Sequence, residues 1–307
     1  MNEVNFGKFE FGNYTNCLVV TDSKIAALYN LQGDNVFLLP RGERAKSFTQ
    51  VEALCKWFLS KRLSPSDTVV AVGGGSVGDA VGFAASIYKR GVKVLHVPTT
   101  LIAQVDSSIG GKTAIDLDGV KNAVGSYHFG DTLIDLDFLQ TLDKTQMLSG
   151  MGEIVKYAML DEKVRAAYDD GKGNLCDVVA ACVKFKQEVC QIDPYCNGVR
   201  NQLNFGHTVG HALELSCKIP HGVAVANGLY YETQLALKLK KCDRTYADEW
   251  MGAVASKFKI YPLSKQILSL TAQDKKNADG KVCFVLPNAF ERVYLAVEEV
   301  EELLLNA

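Results

Sequence analysis

The chain has 307 residues, 48% hydrophobic and 22% charged, with a formal net charge of −2 at pH 7. This length suits two domains with separate cores, and the near-neutral charge gives no reason to expect nucleic acid or an anionic membrane as a partner. No apolar run reaches the roughly 20 residues of a transmembrane helix, and the N-terminus lacks the apolar segment of a secretory signal. The nine cysteines form no CxxC motif, which indicates reduced thiols and a cytoplasmic location.

Up to about residue 140, apolar β-branched runs alternate with helical patterns. The predicted strands cover residues 16–21, 34–40, 67–72, 93–97 and 131–139. A helical pattern over 41–63 places four apolar residues on one side: Val51, Leu54, Phe58 and Leu59. Strands alternating with helices predict an α/β, Rossmann-like domain, which we assign to residues 1–143.

A glycine-rich turn follows the strand at 67–72. Gly73, Gly75 and Gly78 fit the pattern G-x-G-x-x-G between a strand and a helix, a context typical of a turn that binds a pyrophosphate. The alternative is a glycine turn that serves packing alone. The next strand ends without the acidic residue that usually holds a ribose, so Asp22, after the first strand, is our candidate for that role.

Residues 99–122 are polar and glycine-rich where a strand and a helix should alternate. They carry Asp106, Lys112, Lys121 and Asn122. Such a segment inside a domain is more often a ligand site than filler, although an exposed loop with solvated charges is the alternative.

From residue 144 to 307 the patterns are helical, which predicts an all-α second domain. Its tail at 272–287 could contain a strand pair.

Residues 200–222 carry three of the five histidines. His207 and His211 are four apart and would share one face of a helix, where two imidazoles and a third ligand can hold a metal. The alternative is a helix whose histidines only pack or form hydrogen bonds.

Five cations lie on segments otherwise rich in small or apolar residues: Lys112, Lys121, Lys156, Lys186 and Arg200. Lysine and arginine are the partners that phosphate and carboxylate require, so these cations favour a doubly anionic substrate. A nucleotide site combined with a metal site favours hydride transfer at an alcohol.

The sequence resembles the 3-dehydroquinate synthase family over residues 15–290. The motifs that carry the resemblance are GGGSVGDAVGFAASIYKRGVKVLHVPTTLIAQVDSSIGGKTAI, GEIVKYAML and RNQLNFGHTVGHALE followed by PHG. Three positions depart from the usual family pattern: Ser76, Cys196 and Val223. The resemblance implies NAD and a divalent metal as cofactors, Zn²⁺ before Co²⁺, and a homodimer.

The resemblance also implies residue roles. The implied metal ligands are Glu153, His207 and His221, with His211 assigned to the substrate instead. The implied nucleotide contacts are Asp22, Glu43, Lys46, Gly74, Gly75, Ser76, Asp79, Thr99, Thr100, Lys112 and Lys121. The implied substrate contacts are Asp106, Lys112, Asn122, Lys156, Lys186, Arg200, Asn204, His211 and one of Lys275 and Lys276, with Arg90 offered across a dimer interface.

The implied reaction converts 3-deoxy-D-arabino-heptulosonate 7-phosphate, a phosphorylated sugar acid, to 3-dehydroquinate and phosphate. It proceeds by transient oxidation, β-elimination of phosphate, re-reduction, ring opening and an intramolecular aldol closure. The alternatives are another sugar-phosphate cyclase, a metal-dependent oxidoreductase like glycerol dehydrogenase, and a non-catalytic relative.

Overall fold

The computed structural model describes residues 3–169, 174–273, 277–287 and 291–305. By their contacts the residues form two compact units, one built from 1–143 and 186–191 and the other from 144–185 and 192–307. Among the described helices, none combines the length and the apolar character needed to cross a bilayer.

The first unit contains a six-stranded parallel sheet. Its strands and helices are β1 (Val4–Phe6), β2 (Leu18–Asp22), α1 (Ser23–Tyr29), β3 (Val36–Leu39), α2 (Phe48–Ser60), β4 (Thr68–Gly73), α3 (Gly75–Ile87), β5 (Lys93–Pro98), β6 (Lys112–Leu117), β7 (Val120–Tyr127) and β8 (Asp131–Ile134). The strand order in the sheet is β1-β8-β5-β4-β2-β3. Strands β6 and β7 form a separate antiparallel hairpin. The predicted α/β class is therefore confirmed.

The central strands are buried on both faces, which explains their continuous apolar sequence. Val69, Val70 and Val72 of β4 are fully buried, as expected for a parallel sheet covered on both sides. Helix α2 packs Val51, Leu54 and Phe58 into the core. Leu59, predicted on the same side, is 65% exposed. It lies about 100° around the helix from Phe58, beyond the buried stripe.

Three features of the first unit differ from the sequence prediction. Strand β1 was not predicted, because three residues carry too short an apolar pattern. The segment at 99–122, read as a polar ligand loop, contains a one-turn π-helix (Ala103–Ser107) and most of the β6–β7 hairpin. The strand predicted at 131–139 is only the four-residue β8, followed by a 3₁₀ turn at Leu136–Thr141.

Where the structure describes the second unit, it is helical apart from one pair of strands. Its elements are α4 (Lys144–Leu160), α5 (Glu162–Asp169), α6 (Leu175–Ile192), α7 (His207–Cys217), α8 (His221–Lys238), α9 (Arg244–Lys257), α10 (Lys265–Leu270), β9 (Val282–Val285), β10 (Arg292–Leu295) and α11 (Val297–Leu305). Strands β9 and β10 pair antiparallel, so the described part of this unit is mainly rather than wholly α-helical. Residues 186–191 of α6 count with the first unit. The predicted substrate lysines, Lys275 and Lys276, lie outside the described residues.

Residues 200–222 do not form one helix. A 3₁₀ turn over Val199–Asn204 is followed by Gly206, whose φ of +79° favours glycine, and α7 begins at the next residue, His207. Helix α7 ends at Cys217, and α8 begins at His221 after Pro220. His207 and His221 are therefore each the first residue of a helix.

Candidate active site

Helices α4 and α8 approach each other through residues without long side chains. The N–H of Gly222 donates to Oγ of Ser149, 3.0 Å away. A β-carbon on Gly222 would lie 1.7 Å from the carbonyl oxygen of Ser149, so only glycine fits there. This close packing carries Glu153, one turn further along α4, to the beginning of α8.

Glu153, His207 and His221 form a group with the composition of a metal site. Oε1 of Glu153 lies 3.6 Å from Nε2 of His207 and 3.3 Å from Nε2 of His221. One ligand atom from each of the three residues falls within 4.8 Å of the others. Two imidazole nitrogens and one carboxylate oxygen are the donors of many catalytic zinc sites, which keep a further position open. The residues present therefore fit a divalent metal ion.

The second nitrogen of each histidine is held by another group. Nδ1 of His207 lies 3.1 Å from the carbonyl oxygen of Phe205, which can only accept, so this nitrogen carries the proton and Nε2 keeps its lone pair. Nδ1 of His221 donates in the same way to Oε2 of Glu214, 2.9 Å away. Such partners orient metal-binding imidazoles and raise their basicity.

The charges around the triad favour an additional cation. Glu153 is fully buried, and its Oε2 lies 2.5 Å from Nζ of the equally buried Lys156. Burial acts to lower the pKa of His221, but Glu153 and Glu214 outweigh it and raise the pKa to about 10. The two carboxylates thus stabilise positive charge at this point, and a bound metal ion would supply it.

His211 lies beside the triad and is exposed. Its ring centroid is 5.3 Å from that of His207 and 5.8 Å from that of His221. The residues whose ligand atoms approach His207 are nevertheless Glu153 and His221, and not His211, which the spacing alone had paired with His207. Asn204, also predicted to contact substrate, donates from Nδ2 to the carbonyl oxygen of Asn201, 3.1 Å away.

Arg200 is held by the turn that precedes it. Its guanidinium donates to the carbonyl oxygen of Pro194 at 2.6 Å, and its backbone N–H donates to Oδ2 of Asp193 at 3.1 Å. The same carboxylate accepts the N–H groups of Asn197 and Gly198. Burial would raise the pKa of Asp193, but these hydrogen bonds lower it below its ordinary value.

The glycine turn in the first unit has the geometry of a phosphate cradle. Gly74 is the N-cap of α3 and Gly75 its first residue. A β-carbon on Gly74 would lie 3.1 Å from Cγ2 of Thr100, and one on Gly75 would lie 3.0 Å from Oγ of Ser107. The missing side chains leave the first N–H groups of the helix open to an anion. The N–H of Thr99 holds this edge by donating to the carbonyl oxygen of Gly73, 3.0 Å away.

Five of the predicted residues meet in one polar network beside this turn. Nζ of Lys46 lies 2.7 Å from Oδ2 of Asp79 and 3.8 Å from Oε2 of Glu43. Lys46 also donates to Oδ1 of Asn122, and the hydroxyl of Ser76 donates to Oε1 of Glu43 at 3.1 Å. Asn122, assigned to the substrate from the resemblance, therefore lies among residues assigned to the nucleotide.

Burial sets the charge balance of this network. Burial acts to lower the pKa of Lys46, which is 5% exposed, but Asp79 and Glu43 outweigh it and raise that pKa. For Asp79, burial outweighs the attraction of Lys46 and raises its pKa to about 6. The pair therefore depends on the lysine to keep the buried carboxyl ionised at neutral pH.

The remaining predicted residues of the first unit lie at separate points. Lys186 donates to the carboxylate and the carbonyl oxygen of Asp106. Asp22 accepts the N–H groups of Lys24 and Ile25 and so caps α1. Three further residues are exposed. Arg90 lies in the turn after α3, Lys112 at the start of β6 and Lys121 in β7.

Two residues that organise the candidate site were not found from the sequence. Glu214 binds His221 across the break between α7 and α8, so helical spacing could not reveal the contact. Asp193 organises the turn before Arg200. The sequence DPYCNG does contain a local signal for it, because aspartate before proline commonly begins a turn.

Most of the chain is similar to known proteins. A family model described as 3-dehydroquinate synthase N-terminal matches residues 36–149, and one described as 3-dehydroquinate synthase C-terminal matches residues 150–277. The 3-dehydroquinate synthase of Alkaliphilus metalliredigens is 36% identical, covering 93% of this chain and 87% of the relative. That of Rhodospirillum rubrum is 37% identical, covering 90% of this chain and 81% of the relative.

Solved structures of other enzymes share the fold. The 2-epi-5-epi-valiolone synthase of Streptomyces hygroscopicus, with NAD⁺ and Zn²⁺ bound, has a TM-score of 0.83 at 23% identity and covers 100% of this chain and 96% of that one. A 2-deoxy-scyllo-inosose synthase complexed with carbaglucose-6-phosphate, NAD⁺ and Co²⁺ gives 0.82 at 23% identity, covering 99% and 96%. A probable glycerol dehydrogenase from Sinorhizobium meliloti gives 0.62 at 14% identity, covering 99% and 96%.

Proposed function

The chain belongs to the 3-dehydroquinate synthase family, and we propose that it converts 3-deoxy-D-arabino-heptulosonate 7-phosphate to 3-dehydroquinate and phosphate with NAD and a divalent metal ion. This makes it an enzyme of the phosphorus–oxygen lyase class. The observation that carries the proposal is the Glu153–His207–His221 group, whose carboxylate is paired with the buried Lys156. Zn²⁺ suits this donor set, and Co²⁺ is the alternative.

When bound, NAD supplies a reversible hydride acceptor and the metal ion polarises the reacting hydroxyl and ketone. The chain's own residues bind and orient the substrate. Lys156 holds a fixed positive charge beside the metal ligands, where negative charge develops during elimination. Arg200, fixed by Pro194 and Asp193, offers a guanidinium to the carboxylate or the phosphate of the sugar acid.

The substrate contacts in this proposal are those that the family resemblance implied. His211, exposed beside the triad, binds substrate rather than metal. Asn204 precedes the triad on the 3₁₀ turn. Asp106 and Lys186 act as a hydrogen-bonded pair. Lys112, Asn122 and one of Lys275 and Lys276 complete the set.

For the nucleotide, we propose that the pyrophosphate binds at Gly74, Gly75 and the first N–H groups of α3. The neighbouring network supplies the polar contacts, with Ser76 donating to Glu43 and Lys46 pairing with Asp79. The remaining proposed nucleotide contacts are Asp22, Thr99, Thr100, Lys112 and Lys121.

We further propose that the enzyme works in the cytoplasm as a homodimer, with Arg90 reaching the substrate phosphate of the partner. The free state of the nine cysteines supports a reducing compartment. Light scattering tests the dimer. Arg90→Ala tests the shared residue, because it should raise the KM for the substrate while the dimer mass stays unchanged.

The main experiment measures phosphate release from the heptulosonate 7-phosphate in the presence of NAD, before and after chelation, while NADH absorbance is followed. Phosphate release that requires metal, without net NADH, is expected because the reduced cofactor is consumed in each turnover. NADH accumulating with simple polyols, and no phosphate release, would instead place the protein with the glycerol-dehydrogenase-like enzymes.

A second candidate function is a cyclase acting on another sugar phosphate. The observation that favours it is the close fit to two solved cyclases that make other rings. Glucose 6-phosphate, the sugar phosphate that the bound carbaglucose-6-phosphate resembles, separates the two functions when it is offered in the same phosphate assay, because only a different cyclase would prefer it to the heptulosonate.

A further inference from the structure

Helix α7, which begins with His207, has no capping residue of its own. Its N-cap is Gly206, whose lack of a side chain leaves nothing to accept an N–H of the first turn. The third helical residue is Val209, where a glutamate or glutamine would normally reach back to the N-cap. Serine, threonine, aspartate or asparagine would be the usual N-cap.

Glu232 of α8 takes over both of these roles. Its Oε2 accepts the N–H of Gly206 at 2.8 Å, and its Oε1 accepts the N–H of Val209 at 3.0 Å. A capping box normally satisfies these two N–H groups with side chains of the same helix. Here a single carboxylate from another helix binds both. Glu232 is fully buried, so its bonds to the helix start are shielded from water.

The packing of α8 explains how this carboxylate reaches α7. A β-carbon on Gly228 would lie 1.7 Å from the carbonyl oxygen of Gly206, so the two backbones touch at that point. Glu232 follows Gly228 by four residues and therefore lies on the same face of α8, one turn further on. The contact at Gly228 fixes the distance at which Glu232 meets the start of α7.

His207 lies between the two clamped N–H groups, as the first residue of α7. We propose that Glu232 is a positioning residue that holds the first turn of α7 so that Nε2 of His207 faces Glu153 in the geometry that binds the metal ion. This inference rests on the proposed metal-dependent function. It assigns Glu232 a role beyond stabilising the fold, because releasing the first turn moves a metal ligand directly.

The test compares Glu232→Gln with Tyr231→Phe. The amide keeps the size of the side chain but has one acceptor oxygen, so one of the two N–H groups loses its partner. Tyr231→Phe removes a hydrogen bond of 2.7 Å from the adjacent residue of the same helix to the carbonyl oxygen of Tyr261, a residue that lies outside α7. Zn²⁺ affinity is measured by chelator competition, and ligand geometry by the visible spectrum of bound Co²⁺.

Glu232→Gln should raise the Zn²⁺ dissociation constant by about 10- to 100-fold, the usual range for partners that orient a metal ligand, and should alter the Co²⁺ spectrum. Tyr231→Phe should leave both unchanged. An unchanged Zn²⁺ affinity in Glu232→Gln, or equal losses in the two variants, would reduce Glu232 to a structural residue. Failure of the wild-type protein to bind Zn²⁺ would overturn the metal-dependent function itself, and this inference with it.

A measurement on the wild-type protein covers the case in which Glu232→Gln does not fold. Amide hydrogen exchange at Gly206 and Val209 should slow when Zn²⁺ is added, because metal binding and the clamped turn stabilise each other. The amide of Tyr261, which donates to Oδ1 of Asn227 on α8 at 2.8 Å, should not respond. Exchange at Gly206 and Val209 that ignores Zn²⁺ would overturn the proposal.

Discussion

Gly152 of α4 lies against the backbone of Gly222 of α8 so closely that a β-carbon on Gly152 would fall 1.9 Å from the carbonyl oxygen of Gly222. Neither backbone can give way without moving its helix. The next residue along α4 is Glu153, and the residue before Gly222 is His221. The contact between Gly152 and Gly222 therefore sets the distance between two proposed metal ligands, Glu153 and His221.

We expect Gly152→Ala to lower both stability and metal affinity. The methyl group must push α4 and α8 apart, which should reduce the free energy of unfolding by about 3 kcal/mol or more, at the upper end of overpacking effects. The same movement separates Glu153 from His221. Urea unfolding and Zn²⁺ competition measure the two consequences.

Gly252→Ala is the matched control for this variant. Gly252 lies within α9, and a β-carbon there would meet nothing within 4 Å. Alanine should stabilise this helix by about 0.5–1 kcal/mol relative to glycine and leave Zn²⁺ binding unchanged. Normal Zn²⁺ binding by Gly152→Ala would show that the helix contact does not control the ligands.

The roles of His211 and His221 can be separated by one pair of variants. His221→Asn should abolish stoichiometric Zn²⁺ binding, because it removes one of the three approaching ligands. His211→Asn should keep one equivalent of Zn²⁺ but lower kcat/KM by about 100-fold or more, the range for a lost acid–base or orienting group. Metal analysis together with steady-state kinetics decides. Loss of Zn²⁺ from His211→Asn would restore the His207–His211 pairing suggested by their spacing.

Lys46→Met should be destabilising because it leaves Asp79, whose side chain is 19% exposed, without its cation. Loss of one partner from a fully buried ion pair typically costs about 3–5 kcal/mol, and the partial exposure of Asp79 should place this variant at or below the lower end of that range. The variant should also raise the pKa of Asp79 above its value of about 6, since Lys46 now lowers it. The double variant with Asp79→Leu should recover much of the stability, which a double-mutant cycle by urea unfolding would measure.

Lys56→Met serves as the control for that cycle. Lys56 pairs with Glu52 at 2.7 Å, but both side chains are exposed to solvent. Exposed pairs contribute little, so no measurable change in stability is expected. Comparable losses in Lys46→Met and Lys56→Met would show that burial of the Lys46–Asp79 pair is energetically unimportant.

His96 should make the first unit sensitive to acid. Burial, and secondarily His128, lowers its pKa in the folded protein from 6.5 to about 4. The unfolded chain therefore takes up this proton first as the pH falls. The stabilising contribution is complete above pH 6.5, is lost progressively towards pH 4 and amounts to about 3 kcal/mol by linkage.

Thermal unfolding of the wild type and His96→Gln between pH 4 and 7.5 measures this contribution. Glutamine does not titrate, so the variant should lose less stability on acidification over that interval. Groups that do not interact with His96 titrate equally in both proteins, so the difference between the two curves isolates His96 together with its interaction with His128. Parallel curves would contradict the expectation.

Local patterns were sufficient for the parts of the molecule that depend on local sequence. The valine-rich run before Gly73 predicted a strand, and the glycines after it predicted the turn that leads into α3, because both signals lie within a few residues of the structure that they determine. The Glu153–His207–His221 group, in contrast, depends on contacts between residues that are far apart in the sequence. Spacing alone paired His207 with His211, since it could not show that a new helix starts at His221 or that α4 brings Glu153 to it.

The supporting contacts were beyond local patterns for the same reason. Glu214 of α7 binds His221 of α8, and Glu232 of α8 binds the start of α7. No sequence periodicity connects either carboxylate to its partner. The family resemblance supplied Glu153 and His221 but not these carboxylates. They became visible only when the packing of α7 against α8 was known.

The pairing of β1 with β8 has a consequence for the order in which the first unit folds. The N–H of Glu3 donates to the carboxylate of Asp131, 128 residues away, and Val4 lies opposite Thr132 in the sheet. The chain around β1 therefore leaves the ribosome long before its partner strand has been made. Closing so long a loop is entropically slow, and pairing at this sheet edge must wait until the chain has been made through β8, while β2, β3 and β4 can pair earlier.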